Sequence, residues 1–162
     1  MKRNIVGTTL FFAMLLLILG AVASAQDDDW GVRRCSTGQV AGEWAYTLTG
    51  TVITPTGPVP TAAIARSTID AHGNVSSKQT SSTGGAISEW NTVKGTIAVN
   101  PDCTGTKIVM VYDSNGNLQR TVTEDLVIDD HAREIRALVT SLVLPNGASV
   151  PTIITITERK LF

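Results

Sequence analysis

The chain has 162 residues, 43% of them hydrophobic and 17% charged, which is typical of one globular domain with its own core. Its 13 basic and 14 acidic residues give a net charge of −1. This balance disfavours nucleic acid and acidic membrane surfaces as partners, because both require clustered lysine and arginine.

The first 25 residues have the pattern of a signal peptide. Lys2 and Arg3 precede an apolar block at Leu10–Leu19, and Ala23-Ser24-Ala25 is a small-x-small cleavage site. The block is shorter than the roughly 18–20 residues of a membrane span. Cleavage after Ala25 leaves 137 residues, 11 of them basic and 14 acidic, with a net charge of −3. The sequence therefore predicts a secreted or periplasmic protein with no membrane attachment after cleavage.

The two cysteines, Cys35 and Cys103, are an even pair in an exported chain, which predicts a disulfide. They lie 68 positions apart, so the bond is worth roughly 4 kcal/mol by loop-closure arithmetic. His72 and His131 have no recognisable ligand spacing with them. We therefore predict no metal site and no cofactor.

Residues 26–42 form an irregular lead-in, and strand patterns begin at residue 43. The first strand alternates polar residues with the apolar Trp44, Tyr46, Leu48 and Val52. Gly50 is predicted to bend this strand, because glycine weakens a strand interior. Residues 54–60 contain three prolines and are predicted to be a loop outside the sheet.

Seven further strands follow, joined by turns rich in glycine, asparagine and proline; they are predicted at residues 61–70, 75–82, 89–99, 106–112, 118–128, 134–144 and 150–159. In the turn at residues 100–105, Gly105 is expected to take a positive φ. Asn115-Gly116 predicts a tight hairpin in which both residues take positive φ. No interior of ten residues or more favours a helix.

Eight strands joined to their neighbours by short turns predict an all-β fold, an antiparallel up-and-down barrel over residues 43–162. Closure into a barrel removes the two unpaired edges that an open sheet exposes. A two-sheet β-sandwich is the alternative, although sandwiches use Greek-key connections that are longer than most turns found here.

Three segments resemble a group of small exported bacterial proteins, mostly of unknown function, over Cys35–Phe162. They are Gly42–Tyr46, Ile69–Asn74 and Gly95–Thr106, of which the last is the most specific. The resemblance implies a lipocalin-like (calycin-like) or allene-oxide-cyclase-like barrel. Gly42-Glu43-Trp44 is similar to the Gly-x-Trp of lipocalins, whose tryptophan closes the barrel floor.

One row of the sixth strand mixes charge with apolar residues. Arg120 and Glu124 interrupt the sequence Leu118, Val122, Leu126 and Ile128 on the same face. If this row faces the interior, both charges are buried and need partners, such as each other, and they can orient a ligand. If it faces outward, or a bulge reverses it, both charges lie in water.

The fifth and seventh strands are apolar on both faces, so one face must be covered or remain an exposed patch. Two candidates could cover this face: the segment around Trp30, held by the disulfide at Cys35, and a second subunit. Homo-oligomerisation is therefore a hypothesis.

No catalytic constellation is recognisable, and the sequence favours a non-enzymatic barrel that binds a small apolar or amphipathic ligand. The candidate ligand-binding residues are the aromatic wall residues and the two charges of the sixth strand: Trp44, Tyr46, Trp90, Tyr112, Arg120 and Glu124. An extracellular structural or interaction module is the first alternative. A barrel isomerase or cyclase with Glu124 as its acid–base group is the second.

Overall fold

The structure is a computed structural model that describes residues 34–129 and 131–162. The predicted signal peptide and the segment around Trp30 lie outside the described residues. One 3₁₀ turn, Thr37–Val40, precedes eight strands: β1 (Gly42–Thr54), β2 (Gly57–Ile69), β3 (Asn74–Thr83), β4 (Ala86–Val99), β5 (Thr104–Tyr112), β6 (Leu118–Asp129), β7 (Glu134–Val143) and β8 (Thr152–Lys160). No helix in the described part of the chain has the length and apolarity that a membrane crossing requires.

The eight strands form a closed antiparallel barrel in which each strand pairs with the next along the chain. The barrel closes because β8 pairs with β1, from Trp44 opposite Lys160 to Val52 opposite Thr152. The predicted up-and-down barrel is confirmed, and the sandwich alternative is wrong. Closure satisfies the backbone groups that would otherwise be free at both edges of the sheet.

Alternation along the strands separates a packed interior from the outer surface. Every strand contributes to the apolar core, whose members include Trp44, Ile69, Val75, Val93, Ile97, Val109, Val111, Val122, Leu126, Ile135, Val139, Leu142, Ile154 and Ile156. On β5, this places Val109 and Val111 inside, while Ile108 and Met110 lie on the outer face.

The proline-rich segment at residues 54–60 is not a loop, and that prediction is wrong. β2 begins at Gly57, and Pro58 and Pro60 lie opposite Ile53 and Thr51 of β1. The carbonyl of Pro60 accepts from the Gly84 N–H, so this residue's backbone polar groups face away from β1. A proline at such a position removes no hydrogen bond from the β1–β2 ladder, which is why the strand tolerates it.

The turn at residues 113–117 is wider than the two-residue hairpin that Asn-Gly predicts. The Gly116 N–H donates to the Asp113 carbonyl, and the Asp113 N–H donates to the Asn117 carbonyl. Among the two central residues only Gly116 has a positive φ, of 83°. The Asp113 carboxylate accepts the N–H groups of Asn115 and Asn117, which stabilises a turn followed by a one-residue bulge.

The turn between β4 and β5 has the same hydrogen-bond pattern, with a cysteine at the glycine position. Cys103 has a φ of 67°, whereas Gly105, which was expected to take the positive φ, lies inside β5. Gly105 is needed there for another reason, since a Cβ would lie 2.4 Å from the Ala98 carbonyl oxygen of the neighbouring strand. The predicted disulfide between Cys35 and Cys103 is confirmed.

We call the end of the barrel that carries this disulfide the floor. Residues 34–41 cross it, and the hydrogen bonds that hold them include Cys35 N–H to the Pro101 carbonyl, Val99 N–H to Thr37 Oγ1, and Lys160 Nζ to the Gln39 carbonyl. Trp44 is fully buried against this segment and donates its indole N–H to the Val40 carbonyl. The floor is therefore closed.

We call the opposite end the mouth. Four connections surround it, at residues 55–56, 84–85, 113–117 and 144–151. Within the part of the chain that the structure describes, no segment crosses the mouth as residues 34–41 cross the floor. The fold thus has one capped end and one open end.

Candidate functional site

The interior of the barrel contains polar side chains as well as its apolar core. Eight of them are buried: Ser67, Ser77, Gln79, Ser81, Asn91, Lys107, Glu124 and Glu158. Tyr46 and Arg120 point into the same interior and line its central cavity. Buried polar groups destabilise a fold unless they are paired, so the partners of each group decide which are structural and which are free for a ligand.

Lys107, Glu124 and Glu158 form an ion-paired triad toward the floor. β5 and β6 place Lys107 directly opposite Glu124, and the Lys107 Nζ lies 2.8 Å from Glu124 Oε2. The same ammonium donates to Glu158 Oε1 from β8. All three side chains are at most 5% exposed, so each charge depends on the others for its stabilisation.

Burial and charge act on the triad in opposite directions. Burial disfavours the Lys107 ammonium, but Glu124 and Glu158 more than offset this and raise the pKa of Lys107. Burial raises the pKa of Glu124, and the charge of Glu158 adds to the rise while Lys107 opposes it. Lys107 therefore stays charged, and Glu124 keeps its proton to higher pH than an exposed glutamate.

Tyr46 and Gln79 form a second polar pair closer to the mouth. The Tyr46 hydroxyl donates to Gln79 Oε1, and burial raises the pKa of Tyr46. The Lys107 Nζ lies 6.0 Å from the centroid of the Tyr46 ring. This hydrogen bond orients the Gln79 amide, whose Nε2 is buried and has no acceptor within reach among the described residues.

Arg120 faces the interior near the mouth, and burial lowers its pKa. No carboxylate within the described ranges lies within 4 Å of its guanidinium. The hypothesis that Arg120 and Glu124 pair with each other is wrong, because Glu124 is engaged by Lys107. Four residues along a strand span roughly 13 Å, which is too far for a direct ion pair. Glu124 thus has its partner, and Arg120 lacks one.

Two cavities meet at Arg120, Gln79 and Leu48. The deeper one has a volume of about 40 Å³, enough for a water molecule, and also contacts Tyr46 and Lys107. The second cavity, at the mouth, has a volume of about 300 Å³. This is the lower end of the range for small-molecule pockets.

The mouth cavity has one apolar wall and one polar wall. The apolar wall comes from β1, β7, β8 and the connection between β7 and β8: Val52, Val139, Leu142, Leu144, Val150 and Ile154. The polar wall comes from β3 and β6, where Gln79, Ser81 and Arg120 point inward. The arrangement suits a small molecule that is apolar along one side and accepts hydrogen bonds on the other.

The structure brings three of the six predicted ligand-binding residues to the cavities: Tyr46, Arg120 and Glu124. Trp44 closes the floor instead. Trp90 is 66% exposed on the outside, because it alternates with the buried Asn91 and so lies in the outward row of β4. It lies in a bulge, where β4 has one extra residue between Asn91 and Ser88, and has a φ of 55°. Neither tryptophan lines the two interior cavities, so the prediction that Trp44 and Trp90 are cavity-wall residues is wrong.

Tyr112 also lies on the outer side of the barrel. Its hydroxyl donates to Met110 Sδ, two residues back on the outer face of β5. Alternation accounts for this position, because the inward residues of β5 are Lys107, Val109 and Val111.

Sequence reasoning missed Lys107, Glu158 and Gln79. Lys107 follows Gly105 and precedes Val109 on the inward face of β5, and Glu158 follows Ile154 and Ile156 on that of β8. A single charge in an apolar row is the same signal that identified Arg120 and Glu124. Gln79 gave no such signal, since the residues around it on β3 are mostly serine, threonine and lysine.

Among the described residues, no three histidine, cysteine, aspartate or glutamate side chains are grouped so that they could hold a metal ion. The chain matches no protein-family model, and no curated protein is detectably similar to it. The functional argument therefore depends on the barrel interior.

Proposed function

We propose that this protein is an exported, non-enzymatic barrel that binds a small amphipathic molecule through its mouth. The observation that carries the proposal is the cavity of about 300 Å³ with one apolar and one polar wall. Ligand sites combine mostly apolar walls with a few polar groups that fix the orientation of the ligand. The mouth of a β-barrel is a frequent place for such a site.

The floor is the weaker candidate for a binding site. The cavity next to the triad has a volume of only about 40 Å³, and Trp44 and Val40 close the barrel beneath it. Lys107 and the two glutamates are already paired with one another. A ligand at this position would have to break those ion pairs, whereas the mouth offers volume and free donors.

Two features of the sequence support export and the kind of barrel. The pattern of residues 1–25 and the disulfide at Cys35 both fit an oxidising compartment outside the cytoplasm. The segments Gly42–Tyr46 and Gly95–Thr106 resemble exported barrels of the lipocalin-like or allene-oxide-cyclase-like kind. Ligand binding inside the barrel is consistent with that resemblance.

The test is a titration of the protein lacking residues 1–25, its disulfide intact, with octanoate and 1-octanol, followed by amide chemical shifts. We expect saturable shifts around the mouth cavity. Ala63 is buried in that cavity, so Ala63→Leu fills it and should weaken binding of both probes at least tenfold. The adjacent Ala62 is exposed on the outer face, and Ala62→Leu is the matched control.

Two results would count against the proposal. One is the absence of saturable shifts with either probe at millimolar concentration. The other is equal binding by Ala63→Leu and Ala62→Leu, which would place the probes on the outer surface.

An interaction module is the second candidate, and the outer face of β5, β6 and β7 favours it. Ile108, Met110, Val127 and Leu138 are 37–49% exposed there. A cluster of partly exposed apolar side chains is a common property of association surfaces. Sedimentation at micromolar concentration tests self-association through this face, and a purely monomeric protein would eliminate it.

A further inference from the structure

We infer that the ligand of the mouth cavity carries a carboxylate, and that Arg120 and the Gln79 amide bind this carboxylate. The inference rests on the proposed function, because it names the chemical class of the molecule that the mouth would hold. Two observations support it: the unpaired charge of Arg120 and the unused donor of Gln79.

Arg120 is the first observation. Its guanidinium carries up to five N–H donors and no acceptor. Each of the other charges in the interior is neutralised by contact, since Lys107 lies between Glu124 and Glu158. Arg120 lines the mouth cavity and the deeper cavity but has no carboxylate within 4 Å among the described residues. A largely buried cation without a counter-ion is costly unless a ligand supplies one.

Gln79 is the second observation. Its side chain is 3% exposed and lines the same two cavities as Arg120. Because the Tyr46 hydroxyl donates to Gln79 Oε1, the Nε2 donor is the part of this amide that remains for another partner. That nitrogen has no acceptor in the described part of the chain. β3 and β6 thus each contribute a side chain with an unused hydrogen-bond donor to the lining of the same cavities.

The excess of donors indicates an oxygen acceptor, and the unpaired guanidinium of Arg120 indicates that this acceptor carries a negative charge. With both glutamates ionised, the interior contains two positive groups, Lys107 and Arg120, and two negative ones. One added carboxylate leaves a net charge of −1, which the raised pKa of Glu124 can offset by taking up a proton. A doubly charged phosphate would exceed this capacity. The planar guanidinium also matches carboxylate geometry with two parallel hydrogen bonds.

The apolar lining of the cavity specifies the rest of the molecule. Val139 and Leu142 lie on β7, the strand that pairs with the Arg120 strand, and Ile154 lies on β8, and these three side chains offer only apolar contact. A cavity of about 300 Å³ accommodates a short hydrocarbon chain or one ring system together with its carboxylate. The predicted ligand class is therefore a small amphipathic carboxylic acid.

The test compares three probes of equal chain length by calorimetry: octanoate, 1-octanol and octylamine. We expect octanoate to bind at least tenfold more tightly than 1-octanol, and octylamine to bind most weakly. Arg120→Gln removes the charge and should reduce octanoate affinity at least tenfold while changing 1-octanol affinity less than threefold. Arg120→Lys keeps the charge without the planar fork and should recover part of the loss. Arg133→Gln, an exposed arginine in the turn before β7, is the control.

Gln79→Glu tests the second donor. The new carboxylate can still accept from the Tyr46 hydroxyl, but it replaces a donor with a negative charge. We expect Gln79→Glu to weaken the binding of octanoate at least tenfold and to leave the affinity for 1-octanol nearly unchanged. Amide spectra of every variant show whether the barrel has folded.

The outcomes separate the two claims. If 1-octanol binds the wild-type protein as tightly as octanoate, or Arg120→Gln leaves their ratio unchanged, the inference is overturned and the proposed function stands. If none of the probes binds the folded protein, both are overturned.

Discussion

The floor and the mouth of the barrel are built from the same eight strands, but their buried polar groups are satisfied to different degrees. At the floor, Lys107 contacts two carboxylates and the Trp44 indole N–H has its carbonyl acceptor. At the mouth, the Gln79 Nε2 has no acceptor and Arg120 has no carboxylate within 4 Å among the described residues. The comparison shows that burial alone does not identify a functional group.

The difference in pairing coincides with a difference in closure. The disulfide between Cys35 and Cys103 holds residues 34–41 across the floor, where the cavity is small. The mouth has its larger cavity and no such segment in the described ranges. Paired charges under a cap stabilise the fold, whereas unpaired donors below an opening are available to a ligand. The following predictions test this contrast, from the largest effect to the smallest.

Lys107→Met should cause the largest loss of stability, about 5 kcal/mol, because it leaves two buried carboxylates without a cation. Denaturant unfolding measures the change. Lys94→Met, at an exposed position of β4, is the control and should stay within about 0.5 kcal/mol. Replacing Lys107, Glu124 and Glu158 together by apolar residues should recover most of the loss. A loss below about 1 kcal/mol for Lys107→Met would show that the triad is not structural.

Removing the disulfide with Cys35→Ser and Cys103→Ser should cost about 4 kcal/mol, because the closed loop spans 68 positions. Unfolding of the double variant and of reduced wild-type protein should agree. Since the bond lies at the floor, octanoate affinity at the mouth should change less than threefold while the protein remains folded. A large loss of affinity would show that the two ends are coupled.

Arg120→Met should stabilise the ligand-free protein by about 1 kcal/mol, because it replaces an unpaired, largely buried charge with an apolar side chain. Thermal unfolding measures the gain. Arg133→Met removes an exposed charge and should stay within about 0.5 kcal/mol. If Arg120→Met instead destabilises the protein by more than 1 kcal/mol, Arg120 has a structural partner and the contrast between the two ends is wrong.

The smallest effect is a dependence of stability on pH. Because the folded-state pKa of Glu124 is raised above 4.5, the folded protein binds this proton more tightly than the unfolded chain. Its contribution is therefore fully present below pH 4.5 and is lost as the pH rises through the raised value. Glu124→Gln should not lose this stability as the pH rises. The measurement is the unfolding free energy of both proteins from pH 4 to 8, and the difference between them should change with pH.

Asp113→Asn is the control of opposite sign. Backbone and side-chain hydrogen bonds from Asn117 lower the pKa of Asp113 below 3.8. Its contribution is therefore present above pH 3.8 and is lost as the pH falls. If the curves of Glu124→Gln and wild type are parallel across the whole range, Glu124 does not bind a proton differently in the folded state.

Local residue patterns predicted most of the architecture. Alternating residues and short turns predicted eight antiparallel strands, and the two cysteines predicted their bond, because these features depend on neighbours along the chain and on the compartment. The predictions for residues 54–60 and Asn115 were wrong because the rules for proline and for Asn-Gly describe a segment without its neighbouring strands. Pro58 and Pro60 fit into β2 because their backbone nitrogens are not on the side that pairs with β1.

The sequence by itself determined that Arg120 and Glu124 share one face of a strand within a closed barrel. Only the tertiary structure decided that they have different fates. Lys107 and Glu158 come from other strands, and their contact with Glu124 depends on register and barrel closure rather than on spacing along the chain. Likewise, Trp90 lies in a bulge on the outward row of β4, although a large aromatic residue is expected to line the interior. Pairing between distant strands separated the structural charges from the free ones.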